Sequence, residues 1–459
     1  MLTETLRQAA SAIAPPEDPW PAFVRRERLH RRNRRVRRTA LAVVVAAAVG
    51  VQTNVVPLPG WAPAIALASP WSALASSPPR GSLTADSTWV SAFRDRVTGL
   101  QDPDGFWAVA GRDRIKVLYA SDAPGRRVAL VLVPLRFGFV TSWELIWYDG
   151  PTGAAPSEMR YSGNESAANP VVTMTQVDGE RGGYALVIGP PDATVTISGD
   201  PRYTARGVVE RRELARSDGG GVGVVLLPPA ALPPGLDARV TRGSAVLYEG
   251  GVSGGWGSSA SGDPFEPSAG LLTDAVRDVR GPAPSPAVLA SFVRLALTDS
   301  QLPAVGTTVR VRWSGSVNGQ AAVLLTVQPA GGGVVTYAFH GSETSSRTDL
   351  RLLLPAAGAS VRPVGWRLRA EGGDDRTDRV LVSAPTGTAT ATVTVGDGSP
   401  VAVALDAAGF GTATVPPDQR ATVTAYAADG SVLGSTPVPP FENTMSRLPG
   451  DTPGTRVVP

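Results

Sequence analysis

Thr308-Val-Arg-Val-Arg-Trp313, Gly315-Ser-Val-Asn-Gly319 and Gln320-Ala-Ala-Val-Leu-Leu-Thr-Val327 follow one another as two β-forming runs around a glycine-closed turn. Such runs on both sides of a turn predict a β-hairpin. The same pattern occurs about 195 residues earlier, as Arg114-Ile-Lys-Val-Leu-Tyr119, Ser121-Asp-Ala-Pro-Gly125 and Arg126-Arg-Val-Ala-Leu-Val-Leu-Val133. This ordered recurrence indicates an internal duplication, and the alternative is chance similarity between valine-rich strands.

Each hairpin has further elements in matching positions. A third strand is expected at residues 143–148 in the first copy and at residues 334–339 in the second. Upstream of each hairpin, apolar residues at helical spacing predict a helix with one apolar face, which suits packing on a small antiparallel sheet. These residues are Trp89, Val90, Phe93 and Val97 in the first copy and Val288, Leu289, Phe292 and Leu295 in the second.

Short alternating strands follow each hairpin in the same order. Ala193-Thr-Val-Thr-Ile197 corresponds to Ala391-Thr-Val-Thr-Val395, with further matching segments on both sides. Their spacing, and the turn residues between them, are typical of a β-sandwich of immunoglobulin-like or carboxypeptidase-regulatory-like type. The other matching pairs are residues 184–190 with 379–385, 224–229 with 412–417, 237–241 with 421–425, and 245–248 with 431–433.

The fold expected from these patterns is mainly β. An N-terminal transmembrane helix is followed by two tandem repeats, each a helix, a three-stranded antiparallel meander and an Ig-like β-sandwich. The expected segments are a cytoplasmic basic head (1–38), a transmembrane helix (39–57), a Pro/Ala-rich linker (58–82), a helix and meander (83–160), a sandwich (161–252), a flexible Gly/Pro-rich joint (253–285), a second helix and meander (286–370), a second sandwich (371–440) and a disordered tail (441–459).

Charge and cysteine content exclude several classes of function. Residues 1–38 hold ten arginines and four acidic residues, whereas the remaining chain has 33 basic and 36 acidic residues. The basic character therefore belongs to the head, and the larger part gives no reason to expect nucleic acid as a partner. The chain has no cysteine, which excludes disulfides, thiolate metal sites and a cysteine nucleophile.

An arginine-flanked apolar run near the N-terminus predicts a membrane anchor. The run extends from Thr39 to Val56 and would be about 27 Å long as a helix, close to the hydrocarbon thickness of a bilayer. Arginine next to such a run stays on the cytoplasmic side, and tryptophan favours the membrane interface. The residues expected at the membrane interface are Arg25, Arg26, Arg28, Arg31, Arg32, Arg34, Arg35, Arg37, Arg38, Trp61 and Trp71.

A cleaved signal peptide is the alternative to a retained anchor. Ala66-Leu67-Ala68 and Ala73-Leu74-Ala75 match the small-x-small pattern of a cleavage site. Both lie more than ten residues beyond the strictly apolar run, which is too far for ordinary processing, so we favour the anchor.

The head preceding the arginine tract carries a short apolar stripe. Leu2, Leu6 and Ile13 fall on one helical face, which fits either docking of a cytoplasmic partner at residues 1–24 or contact with the inner leaflet. Ala14-Pro-Pro-Glu-Asp-Pro-Trp20, the arginine block and the single span together resemble the front end of uncharacterised, arginine-rich single-pass membrane proteins of actinobacteria. The resemblance covers about the first 55 residues. Some such proteins are similar in layout to anti-sigma factors, but this head lacks their folded domain and zinc motif.

Few residues qualify for catalysis or ligand binding. His340 follows a predicted strand, with Ser342 and Glu343 close in sequence, but a catalytic triad would need geometry that this spacing does not provide. We therefore expect His340 to be structural. Trp256, in the glycine-rich joint, is the candidate ligand-contact residue, since an exposed indole could stack on a sugar ring or dock one repeat on the other. No catalytic residue, metal site or cofactor is expected.

These observations favour a non-catalytic, membrane-anchored scaffold or binding protein of the bacterial cell envelope, with the bulk of the chain outside the membrane. Its expected partners are the lipid bilayer and an envelope protein or polymer. The first alternative is a transmembrane regulator whose head docks a cytoplasmic, sigma-factor-like partner. The second is a hydrolase of envelope polymers that uses carboxylates, although no catalytic pair can be identified from spacing.

Overall fold

The computed structural model describes residues 65–66, 74–100, 107–123, 125–137, 140–178, 180–230, 234–252, 254–257, 263–369, 377–441 and 447–457. The basic head, the expected transmembrane helix, Trp61 and Trp71 lie outside these ranges. Within them, no helix combines the length and the apolar character needed to cross a membrane. The described chain is mainly β and divides into two compact units.

The first unit is a helix packed on an antiparallel sheet, which we call the first module. Asp86 caps the helix α1 (Ser87–Thr98) by accepting a hydrogen bond from the Trp89 N–H. Trp89, Phe93 and Val97 of α1 are buried against one face of the sheet, as their spacing predicts. The sheet has the order β1-β5-β4-β2, with β3 also paired to β4 and β6 to β5. Its strands are β1 (Ile65–Ala66), β2 (Ala108–Val109), β3 (Lys116–Ala123), β4 (Arg126–Phe137), β5 (Val140–Pro151) and β6 (Arg160–Ser166).

The second unit begins with the first sandwich, which consists of two four-stranded sheets in the orders β10-β9-β12-β13 and β11-β8-β7-β14. Alternate residues of the strands, such as Val195 and Ile197, fill the core between the sheets. The strands are β7 (Val172–Asp178), β8 (Gly182–Ile188), β9 (Thr194–Tyr203), β10 (Val209–Ser217), β11 (Val222–Leu227), β12 (Asp237–Arg242), β13 (Ala245–Gly251) and β14 (Gly254–Gly257).

A second module follows in the same unit. Two helices, α2 (Ala269–Ala275) and α3 (Pro286–Ser300), cover one face of an antiparallel meander in the order β15-β16-β17-β18. Asn318 and Gly319 join the first two strands with positive φ angles of 53° and 76°, as a two-residue hairpin turn of type I′ requires. The strands are β15 (Thr307–Val317), β16 (Gln320–Pro329), β17 (Val334–Gly341) and β18 (Ser346–Leu354).

The second sandwich has the strand order of the first without a counterpart of β14. Its sheets run β19-β20-β23 and β22-β21-β24-β25, which matches β7-β8-β11 and β10-β9-β12-β13 strand for strand. The strands are β19 (Val364–Arg367), β20 (Arg379–Ser383), β21 (Thr390–Val395), β22 (Val401–Val403), β23 (Phe410–Thr414), β24 (Ala421–Tyr426) and β25 (Val432–Val438). Short 3₁₀ helices occupy Ser82–Ala85, Arg112–Arg114, Pro156–Glu158, Ala359–Val361 and Pro453–Thr455.

The two modules share an Arg-Gly pair that bridges to the first hairpin strand. Arg80 forms an isolated parallel bridge with Tyr119, and Arg280 forms one with Trp313. The following glycines, Gly81 and Gly281, have φ angles of 97° and 88°. A Cβ at either glycine would lie 2.2 Å from a backbone oxygen of the strand. Glycine is therefore required at both places, for its positive φ and for this close approach.

The structure differs from the expected meanders in the number of strands and in one helix face. β18 adds a fourth strand to the second module's sheet, whereas β1, β2 and β6 bring the first module's sheet to six strands. As a result, residues 160–166 belong to the first module's sheet, while residues 364–367 belong to the second sandwich. In α3, Leu295 is 40% exposed, and the buried residues are Leu289, Phe292, Val293, Ala296, Leu297 and Ser300. The buried face of α3 is therefore rotated relative to the expected one. Residues seven apart, such as Val288 and Leu295, do not lie directly above each other on a helix of 3.6 residues per turn.

The expected joint contains regular structure. Residues 254–257 form β14, which adds in parallel to the edge of β7 and pairs Trp256 with Val177. Residues 269–275 form α2, capped by Ser268. We expected a flexible joint because of its glycine content. Backbone hydrogen bonds to the edge strand β7 need no side chains, so a glycine-rich segment can form them.

The C-terminal tail is ordered over residues 447–457, in contrast to the expected disorder. The Val457 N–H donates to the Leu353 carbonyl (2.9 Å), and Arg456 forms a parallel bridge with Leu353. Asp451 accepts two hydrogen bonds from Arg211 of the first sandwich, at 2.6 and 2.7 Å. The tail therefore covers the free edge of β18 and links it to the first sandwich.

We predict that Gly450→Ala releases the tail. Gly450 has a φ of 88°, and a Cβ there would lie 2.6 Å from the Leu353 side chain. Left-handed strain and overpacking together should cost about 2 kcal/mol or more. The detached population should then rise roughly 30-fold, measured as loss of a C-terminal epitope tag in limited proteolysis.

Gly454→Ala is the control for this prediction. Gly454 has no positive φ, and its nearest Cβ contacts are Pro440 side-chain atoms at 3.2 Å. Tag loss at the wild-type rate is expected for this variant. Equal protease sensitivity of the two variants would contradict the described docking of the tail.

Candidate functional site

The candidate site residues from the sequence fall in separate places. The arginine tract, Trp61 and Trp71 lie outside the described residues. The backbone of Trp256 lies in β14. His340, at the end of β17, is only 5% exposed. His340 is therefore the one candidate whose side chain belongs to the described part of the chain.

His340 forms a buried pair with Asp349 on the neighbouring strand. The His340 Nδ1 lies 2.6 Å from Asp349 Oδ2, and Asp349 Oδ1 accepts a hydrogen bond from the Arg369 N–H at 3.1 Å. Burial raises the pKa of the Asp349 carboxyl, while its hydrogen bond to His340 acts in the opposite direction. Asp349 thus ties β17 to the chain beyond β19, which is a structural role for His340.

Ser342, the nearby hydroxyl considered as a nucleophile, is used in the turn after β17. Its Oγ accepts a hydrogen bond from the Ser345 N–H at 3.1 Å. The structure thus shows a His–Asp pair, but the described contacts of Ser342 are with its own turn. The sequence did not indicate Asp349, because β18 had not been predicted.

A second polar cluster lies between the second module and the first sandwich. Asp299, at the end of α3, accepts hydrogen bonds from the Tyr337 hydroxyl (2.7 Å) and from the Arg351 Nε (2.8 Å). The Tyr203 hydroxyl of β9 donates to the Ser300 carbonyl (3.0 Å). Burial raises the pKa of Tyr203 and of Tyr337 well above the usual tyrosine value, with the Asp299 charge acting in the same direction. Both phenols therefore act as hydrogen-bond donors at neutral pH.

The third polar feature is a cleft of about 410 Å³ in the second module. Arg280, Arg310 and Arg312 line it, together with Ser360 and Thr386. Arg280 also reaches the second sandwich, where its Nη2 donates to Ser383 Oγ (3.0 Å) and its Nη1 to the Ala384 carbonyl. The cleft is therefore bounded by α2, the sheet of the module and a loop of the second sandwich.

The described residues contain no group of three or more histidine and acidic side chains placed to hold a metal ion. Of the three polar features, the cleft alone combines open volume with several charged side chains. The sequence offered no signal for it, because its residues come from six separate segments between residues 274 and 386.

Comparisons with known proteins show no family for this chain. No protein-family model and no curated protein matches the chain. A solved structure described as "Biofilm associated protein - BSP domain" is similar at 9% identity, over 66% of this chain and 75% of that one, with a TM-score of 0.19. Domains 4–9 of surface layer protein SbsC are similar at 12% identity, over 72% and 60% of the two chains, with a TM-score of 0.13.

We predict that Tyr148→Phe and Tyr337→Phe differ in their effect on the free energy of unfolding. The Tyr148 hydroxyl has no hydrogen-bond partner among the described residues, and burial raises the pKa of Tyr148 to about 12. Tyr148→Phe should leave stability at pH 7 within about 0.5 kcal/mol of wild type or raise it, since an unsatisfied buried hydroxyl is removed. Tyr337→Phe should cost about 1.5–3 kcal/mol, because Asp299 loses a hydrogen bond.

The pH dependence of Tyr148→Phe gives an independent check. Since the folded pKa is the higher one, the unfolded chain loses this proton first, and wild-type stability falls as pH rises from about 10 to about 12. In urea denaturation, Tyr148→Phe should lack the part of the loss of stability at alkaline pH that comes from this hydroxyl. Equal costs for both substitutions at pH 7, or an unchanged alkaline profile, would contradict these assignments.

Proposed function

We propose that the chain is a membrane-anchored, non-catalytic scaffold or binding protein of the bacterial cell envelope. Residues 1–38 lie in the cytoplasm, residues 39–57 span the membrane, and the modules and sandwiches lie outside. The proposal rests on one main observation, which is the recurrence of a complete helix, sheet and sandwich arrangement in one chain.

Gene duplication is the simplest origin of this recurrence. The seven strands of the second sandwich match seven of the eight strands of the first in order and pairing. The bridges formed by Arg80 and Arg280 also recur, and the glycine that follows each arginine has a positive φ in both modules. Chance similarity between valine-rich strands does not account for both features. A duplicated β architecture of this kind serves to build length or to present surfaces.

The use of buried polar groups also supports a scaffold. In the second unit, the Tyr203–Ser300 and Arg211–Asp451 contacts tie the first sandwich to the second module and the tail. His340–Asp349 and Arg280 tie the second module to the second sandwich. These buried polar side chains thus hold neighbouring domains together, as a scaffold requires.

The N-terminal sequence supports the proposed location in the membrane. Its arginine tract lies before the apolar run, as expected for a cytoplasmic flank. The absence of cysteine permits a direct test with introduced thiols. Ser399 lies in an exposed turn between β21 and β22, and Ser11 lies in the head.

We predict that Ser399→Cys reacts with a membrane-impermeant maleimide in intact cells, on a full-length, membrane-bound chain. Ser11→Cys should react only after the cells are permeabilised. The readout is gel mobility of the labelled chain after membrane fractionation. Labelling of Ser399→Cys on a shortened, released chain would instead favour the cleaved signal peptide.

Failure of Ser399→Cys to react until lysis would exclude the proposed topology. The binding role has a separate test, which is crosslinking of the intact envelope followed by purification of the full-length chain. Recovery of a specific envelope protein or polymer is the expected result. Recovery of none would remove the binding role and leave only the scaffold.

A further inference from the structure

Two arginines at the cleft bond only to neutral oxygens. The Arg312 Nη2 donates to the Arg362 carbonyl (2.9 Å) and its Nη1 to the Ala359 carbonyl (3.5 Å). Arg280 donates to two carbonyls and one hydroxyl. Among the described residues, the hydrogen-bond acceptors of both guanidinium groups are carbonyl and hydroxyl oxygens, and none is a carboxylate. These contacts explain the positions of the side chains but do not neutralise their charges.

The other charges at the cleft are already compensated. Arg310 is 3.6 Å from Asp278, and Asp274 pairs with Arg277. The cleft therefore holds two guanidinium groups, those of Arg280 and Arg312, without an ion-pair partner among the described residues. Asp406 acts on Arg280 from beyond ion-pair distance, and no carboxylate acts on Arg312. Burial, and then the charge of Arg280, lower the pKa of Arg312 to about 10. Arg312 thus stays protonated at neutral pH, beside a like charge and without a counterion from the described chain.

Arg312 owes its position to a β-bulge. Val311 pairs with Leu325 and Trp313 pairs with Leu324, so Arg312 is an extra residue in β15. A bulge redirects a side chain from the regular alternation of the strand. In the first module the aligned residue is Leu118, although the Arg-Gly bridge is kept at Arg80. The second arginine is therefore not a requirement of the module's architecture.

We propose that this cleft binds the phosphate group of a ligand of small-molecule size. A phosphate with a charge near −2 balances both arginines, whereas a single carboxylate balances only one. The two guanidiniums have ten N–H donors, of which the protein contacts above use five. The remaining donors, with the hydroxyls of Ser360 and Thr386, match the oxygens of a phosphate.

The volume of the cleft determines the ligand class. About 410 Å³ exceeds what a single phosphate ion fills and lies within the usual range for small-molecule sites. A phosphorylated sugar or polyol fits this volume. The inference does not depend on the cellular location of the chain, so it can fail or succeed independently of the proposed function.

The test is calorimetric titration of the purified full-length chain at constant ionic strength. The probes are inorganic phosphate, glycerol 3-phosphate and malonate, the last being a dicarboxylate of the same charge. Saturable binding of a phosphate probe, tighter than that of malonate, is the expected result. No saturable binding of either phosphate probe, or tighter binding of malonate, would overturn the proposal.

Arg312→Met tests the residue itself, since methionine supplies a long apolar side chain without charge. Phosphate affinity should fall at least tenfold in this variant. Arg310→Lys is the matched control, because Arg310 lines the same cleft but is exposed, and lysine keeps the charge opposite Asp278. Its affinity should stay within about threefold of wild type. Equal phosphate affinity of Arg312→Met and wild type would also overturn the proposal.

Arg312→Lys covers the case in which Arg312→Met does not fold. It keeps the charge but loses the planar fork of donors. Weaker binding, by threefold or more, with an unchanged circular dichroism spectrum is expected. Unchanged affinity in Arg312→Lys would show that the guanidinium does not bind the phosphate.

Discussion

The sheet of the second module must be covered on both faces, and much of the second unit follows from this constraint. Val309, Val311 and Leu325 face the α3 side, whereas Leu324, Leu350 and Leu352 face the second sandwich. A sheet that is apolar on both sides is stable only between two layers, since each exposed face would leave large apolar side chains in water. The helix supplies one layer. The sandwich supplies the other, with the Trp313 ring stacked on Phe410 at a centroid distance of 3.9 Å.

Covering both faces removes water from the polar groups at the layer boundaries, so these groups need partners within the protein. Arg367 illustrates the solution, because it is 6% exposed and donates to the carbonyls of Thr377, Val415, Pro416 and Gln419. Arg351 is held in the same way by Asp299. Removing one partner of such a contact leaves a buried polar group unsatisfied, which costs more than the contact contributes. These side chains therefore fix how the layers are arranged.

The sequence predicts the elements that depend on local residue patterns, but not those that depend on contacts between distant residues. The hairpins and most sandwich strands were predictable, because alternation and turn residues act over fewer than ten residues. Arg312 and Asp349 were not, since each is the extra residue of a bulge and shifts the alternation that follows. The tail was not predictable either. Its composition is typical of disorder, but Asp451 is held by Arg211, 240 residues earlier.

The two modules show how a repeated architecture can diverge without losing its packing. The Arg-Gly bridge is kept in both, because the close approach of Gly81 and Gly281 to the strand leaves no room for another residue. The position of Leu118 and Arg312 is under no such restriction. An apolar residue is compatible with the module there, and so is an arginine, provided that loop carbonyls accept its hydrogen bonds. Those carbonyls satisfy the hydrogen bonds but leave the charge, and an uncompensated charge beside a cleft is what a bound anion neutralises. Divergence at a position that packing tolerates is thus sufficient to place a binding site on one copy of an otherwise structural repeat.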